Sequence, residues 1–359
     1  MPLNSFMNSA VIAADMEDIY RRDHIPWHEL EHRTVLITGA TGMLASYLVF
    51  FLIYLNEYHD AGIHIVAQVR SPEKARARFG AYAGRAYFSL VTHDLKHAWE
   101  LDASVDYMIH AASLASPQYY HTVPVEVAEP NVIGTYHLLR LAKEKQTKAF
   151  LLFSSGDVYG RISSDTGSIT EDDCGAMDPL ALHSCYGESK RMAETWCRLF
   201  YTEYQVPAKI ARIAHTYAPT MDLDNDPRVF ASFMKCVRDG KDIVMHSDGS
   251  ACRPFAYVTD AVAGFFLILL CGAPGEAYNV SNDEAFLSIY DLAQMMVGLR
   301  PERDLRVVCE KREDGAYLEN VLNRANRPVS DKLRALGWQC RFDAEKGFRR
   351  VWAYLQEDH

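Results

Sequence analysis

The chain has 359 residues, 49% of them apolar and 23% charged, which fits a soluble globular protein with room for two lobes. Its net charge of -10 excludes unspecific nucleic-acid binding but leaves room for a local basic pocket that takes a phosphate. The eight cysteines show neither CxxC nor Cys/His ligand spacing, so they read as reduced thiols of a cytoplasmic protein, and no metal is expected. The first residues lack a basic region followed by an apolar run, and no signal peptide is expected. Two apolar runs, Leu44–Leu55 and Ala261–Cys271, fall short of the ~20 residues that span a bilayer. They read as buried helices, with no membrane partner.

In chain order, residues 1–33 are a polar extension with one amphipathic helix around Val11–Tyr20, expected to pack as an arm over the first domain. Thr34–Thr38 is a short apolar strand. Gly39-Ala-Thr41-Gly42-Met43-Leu44-Ala45 follows, opening a long helix to about Tyr58. Strand, glycine turn and helix in that order mark a dinucleotide site. Gly39 permits the tight turn, Gly42 admits the pyrophosphate to the backbone, and Ala45 stands where the helix packs closely on the strand. Thr41, Met43 and Leu44 bring backbone N–H groups and the positive end of the helix dipole to the phosphates.

Further strands are expected at Ile63–Val69, Tyr87–Val91, Val105–Ala112, Ala149–Ser155 and Ala208–Ile213, with a helix over Asn131–Lys145. This alternation predicts an α/β fold, a Rossmann-type doubly wound parallel sheet. From about Ala214 the pattern loosens into a smaller mixed α/β lobe interwoven with the sheet. The division expected is an extension over 1–33, a dinucleotide-binding domain over 34–213 and a substrate lobe over 214–359. Ser154 and Ser155 fall at the carboxyl end of a central strand, where such sheets place their chemistry. On a helix, Tyr186 and Lys190 share a face. An ammonium beside a phenol favours the phenolate, and the lysine keeps donors for the ribose of a nicotinamide cofactor. The same spacing also occurs in an ordinary surface helix.

Taken together, TGATGMLA at 38–45, HDL at 93–95, HAAS at 110–113, NVIGT at 131–135, SSGDVYG at 154–160, YGESK at 186–190 and RPFAYVTD at 253–260 change that balance. In order and spacing the chain resembles the extended short-chain dehydrogenase/reductase family of nucleotide-sugar epimerases, dehydratases and decarboxylases. Within it, the motifs look most like UDP-glucuronate decarboxylases, with dTDP-glucose 4,6-dehydratases near by. The resemblance implies that Ser155, Tyr186 and Lys190 are catalytic, Tyr186 as the base. Asp157 stands where those enzymes carry a glutamate. It implies that Asp94 and Leu95 flank the adenine and that Ala111, Ala112 and Ser113 line the cofactor. Arg253, and with it Arg228, would clamp the nucleotide diphosphate. His215 stands where an asparagine is usual and points to an altered sugar contact.

No carboxylate ends the second strand; Arg70 stands there, a residue that accommodates the 2′-phosphate of NADP. NAD is expected from the resemblance, with NADP as the alternative. Gly156 replaces the acid of a 4,6-dehydratase, so decarboxylation is expected ahead of 4-epimerisation and dehydration. A non-catalytic NAD(P)-binding sensor is the rival from another class. A second apolar stripe on the Tyr186 helix (Met192, Trp196, Leu199, Phe200) predicts a homodimer built with the helix over Asn131–Lys145.

Overall fold

The computed structural model describes residues 8–162, 167–310 and 327–357. Its main sheet takes strands β1 (Thr34–Thr38), β2 (His64–Val69), β3 (Phe88–Thr92), β4 (Tyr107–His110) and β5 (Ala149–Ser155). After the short β6 (Ser168–Ile169) come β7 (Ala208–Ile213), β8 (His215–Tyr217), β9 (Ile243–Met245), β10 (Cys252–Tyr257) and β11 (Ala277–Val280). The last three are β12 (Phe286–Ser288), β13 (Val307–Cys309) and β14 (Arg327–Pro328). The seven strands of the main sheet lie in the order β11-β7-β5-β4-β1-β2-β3, and each of its pairings is parallel. The chain winds outward from β1 to β3, then restarts at β4 on the other side of β1. That reversal opens a crevice beyond the carboxyl ends of β1 and β4, the place where such sheets bind ligands.

Alternate residues of the central strands face opposite layers. Val35, Ile37, Ile109, Leu151 and Phe153 pack under the helices Met43–His59 and Val258–Cys271. Leu36, Met108, Phe150 and Leu152 pack under Thr135–Lys145 and Ser184–Tyr204. Burial on both faces explains why these strands read as unbroken apolar runs.

β11 and the helix Val258–Cys271 come from beyond residue 214, yet they belong to the main sheet and its cover. A three-stranded sheet, β12-β10-β8, carries His215 and Arg253. β7 ends at Ile213 and β8 begins at His215, so the chain passes from one sheet to the other within two residues.

The N-terminal helix Ala10–Tyr20 starts at Ser9, whose hydroxyl accepts from the Ile12 amide at 3.1 Å. It packs against Met43–His59, Val258–Cys271 and the C-terminal helix Ala344–Leu355. Ile12, Met16 and Ile19 are buried there. Arg22, just past its end, is 1% exposed and donates to Asp260 at 2.6 Å, Asp18 at 2.9 Å and the Gln339 carbonyl at 2.8 Å. The arm is therefore an integral layer of the fold. None of the helices among the described residues is long and apolar enough to cross a membrane.

Candidate active site

The glycine turn is built for close approach. Gly39 sits at φ +62°, and a Cβ there would come within 2.6 Å of the Ala112 Cα; only glycine tolerates both. Its N–H donates to Gln68 Oε1 at 3.0 Å, while Gln68 Nε2 donates to the His93 carbonyl at 2.5 Å. Gln68 thus ties β1, β2 and the end of β3 together at the place where the sequence lacks a carboxylate. Gly42 caps the helix Met43–His59 with no side-chain partner for its first N–H groups. That leaves these amides aimed at the crevice with the dipole behind them. Arg78 donates to the Thr41 carbonyl at 2.9 Å and to Ser46 Oγ at 3.0 Å, bracing the turn from outside.

Under the turn lies His110. The Ala112 amide donates to Thr38 Oγ1 at 3.3 Å, and Thr38 Oγ1 is 2.8 Å from His110 Nδ1. His110 Nε2 is 3.0 Å from the Pro130 carbonyl, which can only accept. Nε2 therefore carries the proton and Nδ1 accepts from the threonine. Burial, with Lys190 near by, drives this imidazole down to about 3, so it stays neutral. Ser113 Oγ is buried and, among the described residues, makes no hydrogen bond. An orphaned hydroxyl beside a glycine cradle fits a dinucleotide that supplies the missing partner. Asp94, by contrast, pairs with Lys96 at 3.3 Å, and Leu95 is buried beneath Gly134. Arg70 is mostly exposed and lies 3.7 Å from Glu126.

The catalytic candidates converge at the carboxyl end of β5. Ser155 is its last residue, extended, and its hydroxyl accepts from the Asp157 amide at 3.1 Å. Tyr186 lies in the first turn of Ser184–Tyr204, buried and stacked on Tyr120 at 5.2 Å between centroids. Lys190 is 2% exposed; its Nζ donates to the Phe153 carbonyl at 2.7 Å and stands 5.7 Å from the centre of the Tyr186 ring. Two of its three N–H groups remain for a ribose. Burial lowers Lys190 to about 7, with Glu194 and then Cys197 opposing.

Burial and the Asp157 charge push the Tyr186 phenol up, while a hydrogen bond with Ser155 and the nearby Arg228 pull it down. Asp157 is exposed to solvent, while desolvation by the protein around it raises its carboxyl and Arg253 opposes it. His215 opens β8 beside Phe255 of β10. Burial, Arg253 and Arg228 lower its imidazole to about 3. Ser155, Asp157, Tyr186, His215, Arg228 and Arg253 therefore lie within electrostatic reach of one another. Arg228 is held bidentate by Asp226, with Nε at 2.9 and 3.0 Å, and lies over Phe230 at 4.8 Å. Arg253 donates to the Cys252 carbonyl at 2.8 Å.

Asn131 also belongs to the site, and sequence reading gives it no role. It stands in a π-turn, Pro130–Gly134, a helix irregularity common at functional sites. Its Nδ2 donates to Ser189 Oγ at 2.9 Å, and that hydroxyl donates to the Tyr186 carbonyl at 2.9 Å. The motif NVIGT was the available signal. Among the described residues no cluster of His, Cys, Asp or Glu is placed to hold a metal ion.

A glycine cradle at the switch point of a doubly wound sheet, facing a buried tyrosine and lysine, defines a dinucleotide-dependent enzyme of the Rossmann class. The comparisons with known proteins agree. A model of the NAD dependent epimerase/dehydratase family matches residues 35–281. The chain belongs to that family, and its cofactor is NAD. It is 30% identical to UDP-glucuronic acid decarboxylase 6 of Arabidopsis thaliana over 87% of this chain and 86% of that protein. With UDP-glucuronic acid decarboxylase 1 of Danio rerio it shares 29% identity over 92% of this chain and 74% of that one. In fold it is similar to a Thermotoga maritima UDP-glucose 4-epimerase solved with UDP-glucose, at a TM-score of 0.73 and 20% identity, covering 90% of this chain and 98% of that one. A Bacillus anthracis dTDP-glucose 4,6-dehydratase in complex with NAD gives a TM-score of 0.71 at 20% identity, covering 90% and 96%.

Proposed function

We propose that the protein decarboxylates a UDP-glucuronate-type nucleotide sugar by transient oxidation at C4. The observation that carries this reading is the gathering of Arg228, Arg253 and His215 around Ser155 and Tyr186. Two guanidinium groups suit the diphosphate and carboxylate of an anionic sugar nucleotide. The relatives named UDP-glucuronic acid decarboxylase, matched over most of the chain, support the same substrate class.

Gly39, the amides after Gly42, Ser113 and Lys190 would hold the cofactor. Bound there, NAD would supply the acceptor and donor for the hydride at C4. Tyr186 Oη takes the C4 hydroxyl proton. Ser155 Oγ donates a hydrogen bond to the oxygen as it becomes a ketone, stabilising the charge that develops there. The sugar is then a β-keto acid; its C6 carboxylate leaves as carbon dioxide with no acid required at C6, and the C5–C6 electron pair passes into a C4–C5 enolate that takes a proton from water at C5. Gly156 has no side chain to protonate a departing C6 hydroxyl, which disfavours dehydration. Asp157 is one methylene shorter than the glutamate it replaces.

The testing experiment is incubation with UDP-glucuronate and, separately, dTDP-glucose, followed by mass spectrometry. A product lighter by one carbon dioxide from the first supports the reading. Loss of water from the second would overturn it.

The protein would act as a cytoplasmic homodimer. Trp196 and Phe200 pack on Tyr136 within the subunit, but Leu199, Tyr204 and Ile133 remain 47%, 42% and 41% exposed. This patch favours a second copy, and a monomer at all concentrations in sedimentation would refute it. All eight cysteines are free, in keeping with a reducing compartment.

A further inference from the structure

Tyr186, Lys190 and Glu194 follow one another at intervals of four along Ser184–Tyr204 and so share one helix face. Glu194 is nearly buried and is held from two strands at once. Arg212 of β7 donates from Nε to both carboxylate oxygens, at 3.1 and 3.2 Å, and from Nη2 to Oε2 at 2.8 Å. Ser154 of β5 donates its hydroxyl to Oε1 at 2.5 Å. Ser154 immediately precedes Ser155, and Arg212 lies three residues before His215. One carboxylate therefore joins the strand end bearing the serine, the helix bearing the tyrosine and lysine, and the strand that leads to the substrate side of the cleft.

We propose that Glu194 is a positioning residue for this site, locking Ser155 against Tyr186 and serving as the negative partner of the Lys190 ammonium. The proposal rests on the catalytic reading above for its consequence in turnover, though not for its electrostatic part. Lys190 faces Tyr186, Glu194 and Cys197 from its own helix, the Phe153 carbonyl from β5 and the neutral His110 from β4. Arg212 reaches it through Glu194. Of these groups Glu194 is the strongest that favours the charged lysine, against a burial that disfavours it. A buried carboxylate shared with one guanidinium still acts on a neighbouring charge, because little water intervenes to screen it. An exposed pair would have no such reach.

Two variants of the full-length protein separate the roles. Glu194→Gln keeps the shape and an acceptor for Ser154 and Arg212 but removes the charge. With lysines labelled at Cε and the Lys190 resonance assigned through Lys190→Arg, NMR should show its titration midpoint at least ~1 pH unit lower than in the wild type. Coincident titration curves would overturn the electrostatic role. Ser154→Ala keeps the charge and removes one anchor, so the Lys190 midpoint should stay in place. Turnover should fall at least ~10-fold at unchanged KM, the scale of a small misplacement at a reacting centre. Wild-type turnover in that variant would overturn the positioning role, and it serves if Glu194→Gln does not fold. The lysine titration needs no substrate, so it stands apart from the proposed reaction. A wild type that turns over no sugar nucleotide would refute that reaction and leave the titration result intact.

Discussion

Replacing Arg22 by methionine tests whether the N-terminal layer is held by charge or by packing. Arg22 and Asp260 are 1% and 0% exposed and meet at 2.6 Å. Without the guanidinium, Asp260 keeps only the amides of Arg341 and Phe342, at 3.0 and 3.1 Å. Breaking a buried pair by removing one partner costs about 3–5 kcal/mol, because the remaining charge is stranded. Against this stand Ile12, Met16 and Ile19, each at most 2% exposed. At about 1.5–3 kcal/mol per buried side chain they contribute roughly 4.5–9 kcal/mol, an upper figure since unfolded chains already bury some surface. Packing wins, so the helix stays docked and the loss appears in the stability of the whole protein. The assay is urea unfolding followed by circular dichroism, with hydrogen exchange over residues 10–20. A drop of about 3–5 kcal/mol, with these amides as protected as the rest of the core, is expected. A drop below about 1 kcal/mol, or early exchange confined to residues 10–20, would refute the reasoning. The outcome bears on function, because the helix anchored by Asp260 directly follows β10, which carries Arg253.

Other perturbations have equally definite outcomes. Tyr186→Phe should retain NAD binding and lower turnover at least ~100-fold, the scale of losing a general base; wild-type activity would contradict its role. Gly39→Ala places a Cβ 2.6 Å from the Ala112 Cα at φ +62°, adding about 1–2 kcal/mol of left-handed strain to a backbone clash; calorimetric NAD titration should show at least ~10-fold weaker binding. Asp15 is 0% exposed, takes hydrogen bonds from Tyr47 and Tyr257 and lies 3.0 Å from Arg350. Burial, opposed by Arg350 and the two tyrosines, raises it from 3.8 to about 7. A carboxyl raised on folding contributes stability that is full below its unfolded value and lost as pH rises through the folded one. Urea midpoints should therefore fall between pH 3.8 and about 7 on account of this group, and Asp15→Asn should flatten that fall; parallel profiles would contradict the assignment.

Thr34–Thr38 and Ala149–Ser155 are legible to the residue because strands buried on both faces leave nearly continuous apolar runs between polar flanks, and Ala208–Ile213 is legible too although Lys209 and Arg212 interrupt it. β11 is not: Ala277-Tyr-Asn-Val280 is only four residues long, too short for any periodicity to separate strand from loop. The local part of the site follows the same rule. The glycine turn and the Tyr186–Lys190 spacing lie within single elements, and Ser155 ends a readable strand. What joins them is long-range. Asn131 meets Ser189 across 58 residues, Thr38 meets His110 across 72, and Arg22 meets Asp260 across 238. A spacing argument sees none of these. Burial also decides where the Lys190 ammonium goes, onto the Phe153 carbonyl.

In the proposed reaction hydride leaves C4 and returns to the same carbon. UDP-glucuronate carrying deuterium at C4, incubated with the purified protein and catalytic NAD, should give a decarboxylated product that still carries deuterium at C4, formed more slowly than from the unlabelled sugar. A decarboxylated product whose C4 hydrogen has come from solvent, or the absence of any decarboxylation, would contradict it.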